Sequence, residues 1–144
     1  MSKETGRGVS RRRFLGTAAA ATAGFTIVPS HVVSGLGHIA PSDKLNIAGV
    51  GVGGMGRTNL RNLNSQNIVA LCDVDWKYAR SCFDTYPKSK TYKDWRRMFD
   101  EMGKDIDAVA ISGVTNMHYP AGMYSMQAGK HVFMQKPLCL TVEE

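Results

Sequence analysis

The residues best able to do chemistry in this chain are a run of glycines, one acid, one histidine and one lysine, each at the end of an apolar stretch. Leu45 to Gly56 reads LNIAGVGVGGMG. Apolar and small residues lead into a glycine cluster and a polar, helix-compatible run follows, the layout of a strand, a tight turn and a helix N-terminus. Such a turn offers main-chain N–H groups to an anion, and in a βαβ unit that anion is the pyrophosphate of a dinucleotide. Two registers of G-x-G-x-x-G fit, Gly49-Gly51-Gly54 and Gly51-Gly53-Gly56. The second is the better one, because it puts the first glycine at the strand end and leaves Gly49 inside the strand. In it Gly51 makes the tight turn, Gly53 admits the pyrophosphate to the backbone, and Gly56 lets helix and strand close on each other. Val52 lies within the same cradle, and the N–H groups of Gly54 and Met55 at the helix start face the phosphates.

Asp73 stands 20 residues after Gly53, at the end of a second apolar run. An acid there bonds the ribose hydroxyls of the adenosine half and repels a 2′-phosphate, so it favours NAD over NADP. Its alternative role is to cap the next helix, for which Asp75 is better placed. His118 falls in GVTNMHYP, read as a loop after the fourth strand-like segment. Lys136 falls in QKP at the end of the last one. Both positions belong to the carboxyl edge of a parallel sheet, where open α/β folds bind ligands.

The elements that must position these residues follow from the hydrophobic pattern. Leu45 to Val50, Asn67 to Val74, Asp107 to Ser112 and His131 to Gln135 read as strands, with a short extended piece near Thr91. NIVALCDV and DAVAIS are apolar almost throughout, as in strands covered on both faces. Helices are expected over Arg57–Leu63, Trp76–Tyr86, Asp94–Met102 with Asp94 as N-cap, and Pro120–Ala128 with Pro120 in the first turn. Pro87 and Gly129 act as stops. Alternating strands and helices joined by short connections predict an α/β fold, a Rossmann-type doubly wound parallel sheet.

The chain has 144 residues and a formal charge of +6. Lys3, Arg7, Arg11, Arg12 and Arg13 against Glu4 carry +4 of that, leaving +2 for the remainder. The folded part is nearly balanced, which argues against a nucleic-acid partner. The local run Lys88, Lys90, Lys93, Arg96 and Arg97 is explained by a solvated face. The three cysteines, Cys72, Cys82 and Cys139, have no metal-ligand spacing, so no metal site is expected. Residues 1–40 have the parts of an export signal: a positive start, the mildly apolar FLGTAAAATAGFTIV, and a polar tail. SRRRFLG resembles the twin-arginine pattern, with Ser10, Arg11, Arg12, Phe14 and Leu15 matching. That pattern implies a translocase partner and a periplasmic destination. No stable membrane anchor is expected, since no run has the length and apolarity of an ordinary span. The division is then 1–40 signal and linker, and 41–144 dinucleotide-binding domain.

Lys44 to Glu144 resembles the N-terminal domain of the glucose–fructose oxidoreductase / inositol dehydrogenase (Gfo/Idh/MocA) family. NIAGVGVGGMG, VALCDVD with Asp73, IDAVAIS and AGKHVFMQKPL carry the likeness. Gln135 replaces the glutamate of the usual Glu-Lys-Pro signature, a variant common in exported members. In the loop after the fourth strand, Gly113 and Val114 replace the usual Thr-Pro, while His118 matches. The resemblance implies that Lys136 sits beside the nicotinamide and bonds the reacting substrate hydroxyl, that Gln135 touches the cofactor, and that His118 belongs to a cofactor-contacting loop. It further implies NAD, a sugar or polyol substrate, hydride transfer and, for a full-length member, an oligomer. Members carry a second α/β domain with the substrate pocket and general base; this chain is expected to lack it and to be inactive alone. The alternatives are an NAD-dependent glycoside hydrolase of the same superfamily, and an inert binding module.

Overall fold

A computed structural model of the chain describes residues 39–144, and a compact unit runs from Ser42 to Glu144. The twin-arginine pair Arg11 and Arg12 lies outside the described residues. The strands are β1 (Asn46–Val50), β2 (Asn67–Cys72), β3 (Lys90–Tyr92), β4 (Ala108–Ile111) and β5 (His131–Met134). The helices are α1 (Gly54–Asn62), α2 (Trp76–Thr85), α3 (Trp95–Met102) and α4 (Thr115–Gln127). All pairings are parallel, in the order β3-β2-β1-β4-β5. The chain runs outward from β1 to β3, then returns to the other side of β1, so the direction reverses between β1 and β4. That reversal opens a crevice at the carboxyl edge between their ends.

Side chains from alternate positions of each strand feed two cores. Ile47, Leu71 and Ala110 pack with Leu60 of α1 and with Ala79 and Cys82 of α2. Ala48, Val50, Val109 and Ile111 pack on the opposite face with Met98, Phe99 and Met102 of α3 and Ala121 of α4. Helices on both faces are why β2 and β4 read as apolar runs rather than alternating ones. Fully burying a residue such as Leu71 or Ile111 contributes about 1.5–3 kcal/mol. The register of β1 on β2 shifts once, after Ile47, where Val69 is the extra residue. Beside β5 the pattern breaks: Val132 and Met134 face the α4 core, while Phe133 on the other face is 52% exposed.

Local signals explain the helix starts. Asp75 accepts from the Tyr78 N–H and Asp94 from the Arg96 N–H, so each caps the helix that follows it. Helix α4 begins five residues before the expected Pro120 start, at Thr115. Pro120 therefore sits in the second turn, where its missing N–H removes one rung to Asn116, and His118 is on the helix instead of in a loop. The buried residues of α4 are His118, Ala121, Gly122 and Ser125. The Ser125 hydroxyl donates to the Ala121 carbonyl at 2.7 Å, which satisfies it without a distant partner.

Candidate dinucleotide site

A cleft of about 660 Å³ opens at the reversal point, lined by the ends of β1, β2 and β4 and by the residues after β3. Its floor is the glycine turn. Gly51 has φ +75° and its backbone lies on that of Gly113, so that a Cβ at residue 51 would stand 2.2 Å from the Gly113 Cα. Only glycine fits there, for conformation and space alike. A Cβ on Gly56 would stand 1.9 Å from the Gly51 carbonyl oxygen, so the helix closes on the turn as the register Gly51-Gly53-Gly56 requires. Gly53 has a further reason to be glycine: the Tyr78 ring crosses the turn, and a Cβ would lie 2.3 Å from it.

Asp73 is tied to that turn. One carboxylate oxygen accepts from the Gly53 N–H and the other from the Asp75 N–H, each at 3.0 Å. The Gly56 N–H bonds the Gly53 carbonyl at 2.9 Å. The N–H groups of Gly54 and Met55 are left at the head of α1 without intrahelical partners, and no acid occupies that first turn. Unpaired donors, the positive end of a helix and an acid one strand away are what a dinucleotide needs for its phosphates and ribose. Residues Gly51, Gly53, Gly54, Met55 and Asp73 line the cleft together.

The other expected site residues lie elsewhere. Val52 is buried in the core under α1, so only its backbone belongs to the turn. His118 is 2% exposed and does not line the cleft. Its Nδ1 is 2.7 Å from the Pro137 carbonyl oxygen and its Nε2 is 3.1 Å from that of Gly113. Both ring atoms are thus occupied by main chain. Gln135 and Lys136 follow β5 and are absent from the lining; the Gln135 N–H bonds the Ile111 carbonyl, and Lys136 is exposed. The Lys136–Pro137 peptide is cis.

The cleft also contains residues that motif reasoning passed over. Val74 and Val114 are 80% and 67% exposed at its rim, an apolar pair at the ends of β2 and β4. Lys93 and Arg96, read above as part of a solvated face, line it from the segment after β3. Arg96 lies 4.3 Å over the Trp95 ring and Lys93 lies 5.6 Å over that of Trp76. The signal that would have found them is position alone, since both follow the carboxyl end of a strand. The three thiols are free, and burial pushes Cys72 up to about 12, helped by Asp73 and Asp94. Cys82 rises to about 11, mainly through burial.

Residues 45–144 match the family described as "Oxidoreductase family, NAD-binding Rossmann fold" (GFO_IDH_MocA). An alpha-N-acetylgalactosaminidase of Shewanella oneidensis is 31% identical over an alignment covering 94% of this chain and 35% of that protein. An inositol 2-dehydrogenase of Salmonella typhimurium is 30% identical, covering 66% of this chain and 29% of that one. Among solved structures, a myo-inositol 2-dehydrogenase from Lactobacillus plantarum superposes with TM-score 0.62 at 30% identity, covering 69% of this chain and 30% of that one. A myo-inositol dehydrogenase from Lactobacillus casei, in complex with NAD(H) and myo-inositol, superposes with TM-score 0.61 at 27% identity over 69% of this chain and 30% of that one. The chain spans about a third of the length of the curated relatives it matches.

Proposed function

The chain belongs to the Gfo/Idh/MocA oxidoreductase family, with its NAD-binding Rossmann fold, and from there we propose that it is the cofactor-binding part of an exported enzyme that oxidises or reduces a sugar or polyol. The observation that carries the reading is the bond from the Gly53 N–H to Asp73, which ties the glycine turn to the acid proposed to take the ribose. When bound, the nicotinamide supplies the hydride chemistry. The chain's own residues hold and orient: the Gly54 and Met55 N–H groups take the phosphates, and Asp73 takes the ribose hydroxyls. Lys136 polarises the substrate oxygen. Asp73 also sets the preference for NAD, because its charge opposes a 2′-phosphate. Calorimetric titration tests this: NAD binds saturably and NADP about ten-fold more weakly, a difference of about 1.4 kcal/mol. Absence of saturable NAD binding would end the reading. The chain alone turns over little substrate, and robust dehydrogenase activity from it would contradict that.

The first forty residues serve as a twin-arginine signal to the periplasm. Replacing Arg11 and Arg12 together by lysine should leave a fused reporter in the cytoplasm; continued export would refute the assignment.

A second reading is favoured by the breadth of one match. The alpha-N-acetylgalactosaminidase alignment covers 94% of the chain and so reaches into the N-terminal stretch, whereas the inositol dehydrogenase alignment covers 66%. In that reading the cofactor is used transiently in glycoside cleavage. In an enzyme that contains this domain, net NADH from a free sugar supports the dehydrogenase, and cleavage of a glycoside without net NADH supports the hydrolase.

A further inference from the structure

His118 does not line the cleft, and its surroundings suit it to different work. It is buried in the second half of the first turn of α4, with each ring nitrogen on a main-chain carbonyl. Those carbonyls come from two separate segments. Gly113 follows β4 and lies backbone to backbone on Gly51, the residue that turns the dinucleotide loop. Pro137 directly follows Lys136. Beyond Gln135, the hydrogen bonds among the described residues are this one to Pro137 and a local one from the Leu140 N–H to Glu144. Among the described residues, the segment after Gln135 thus makes one hydrogen bond to the rest of the fold, and a side chain makes it. Either neutral tautomer of the ring can donate to one carbonyl, and the doubly protonated ring can donate to both.

We propose that His118 is a positioning residue that transmits occupancy of the glycine turn to the Lys136 segment, through Gly51, Gly113 and Pro137. The proposal rests on reading that turn as the cofactor site. A dinucleotide seated on Gly51–Gly56 presses on backbone that Gly113 touches, and the imidazole carries any shift of the Gly113 carbonyl to Pro137. The segment carrying Lys136 is then held more firmly with cofactor bound than without it.

The chain carries its own reporter for this. Cys139 is partly exposed, three residues past Lys136. Cys72 and Cys82 are buried, with thiols raised to about 12 and about 11, so at about pH 8 almost none of either is thiolate. The rate of Cys139 alkylation by iodoacetamide, followed by mass spectrometry on the 144-residue chain, reads the mobility of the segment. NAD should slow it in the unaltered chain by on the order of five-fold, a modest coupling. In His118→Gln and His118→Ala, NAD should still bind by calorimetry while its effect on Cys139 disappears. A variant-free measurement stands beside this: the NMR signals of the His118 ring nitrogens should move on saturation with NAD. Equal protection of Cys139 in the variants, or an unchanged rate and unchanged ring signals in the unaltered chain while NAD binds, overturns the proposal alone. Failure of the unaltered chain to bind NAD at all overturns the cofactor-site reading, and the coupling with it.

Discussion

The glycine turn after β1 and the Lys136 segment after β5 lie on the same edge of one sheet and are secured by opposite means. Around the turn, backbone meets backbone: Gly51 on Gly113, Gly56 on the Gly51 carbonyl, Gly53 bonded to Asp73. It sits over the middle strands, with helices on both faces. The Lys136 segment leaves an edge strand whose outer face shows Phe133, and among the described residues its one hydrogen bond to the rest of the fold beyond Gln135 is with the His118 imidazole. The difference separates two tasks. A cofactor that must be gripped in one pose suits a site with no slack, whereas a group that must meet a substrate suits a tether that can be adjusted.

Substitutions can break or sharpen that contrast. The largest effect should come from Gly56→Ala, whose Cβ would lie 1.9 Å from a backbone oxygen with no flexible neighbour to yield. A loss of about 3 kcal/mol or more is expected in thermal unfolding. A variant that melts with the parent would show that the turn has slack after all. Asp73→Asn comes next. It removes the charge and leaves one acceptor oxygen where two accept N–H groups, turning the amide nitrogen toward the other donor, so NAD affinity should fall by about 2 kcal/mol in calorimetry. Unchanged affinity would separate the acid from the turn. Gly129→Ala isolates conformation from crowding, since φ is +73° but nothing lies within 4 Å. It should cost about 1 kcal/mol of stability and leave NAD binding alone. The smallest effect should be that of Lys136→Ala, within about 0.5 kcal/mol of parent stability. A destabilisation approaching that of Gly56→Ala would mean the segment is a structural anchor, and the contrast would collapse.

The same division decides what could be read from sequence. Strands β1, β2 and β4 announce themselves because burial on both faces leaves them no polar positions beyond Asn46 and Asn67 at their starts, and Asp75 and Asp94 announce their helices because a short acidic side chain reaches the first free N–H groups. The register Gly51-Gly53-Gly56 was legible because steric demands on glycine are local. Helix α4 hid its start. Its N-cap is Val114, which has no side-chain cap to offer, and its buried residues are His118, Ala121, Gly122 and Ser125 while Tyr124 and Met126 are exposed by 41% and 51%, so no apolar stripe marks it. Pro120 then passed for a first-turn proline. Contacts between distant segments were beyond any local rule: Tyr78 across Gly53, Lys93 and Arg96 at the cleft, and His118 between Gly113 and Pro137 depend on where the sheet places separate strand ends.

Trp95 gives the cleft a built-in optical signal. It lines the site yet is only 7% exposed, with Tyr124 and Phe99 edge-on at 5.4 and 6.3 Å and Arg96 over its face. Trp76, by contrast, is 43% exposed. The buried indole emits to the blue and resists quenching by iodide, while the exposed one emits to the red and does not. Reduced nicotinamide absorbs where indoles emit, so energy transfer from Trp95 would report bound cofactor without any label.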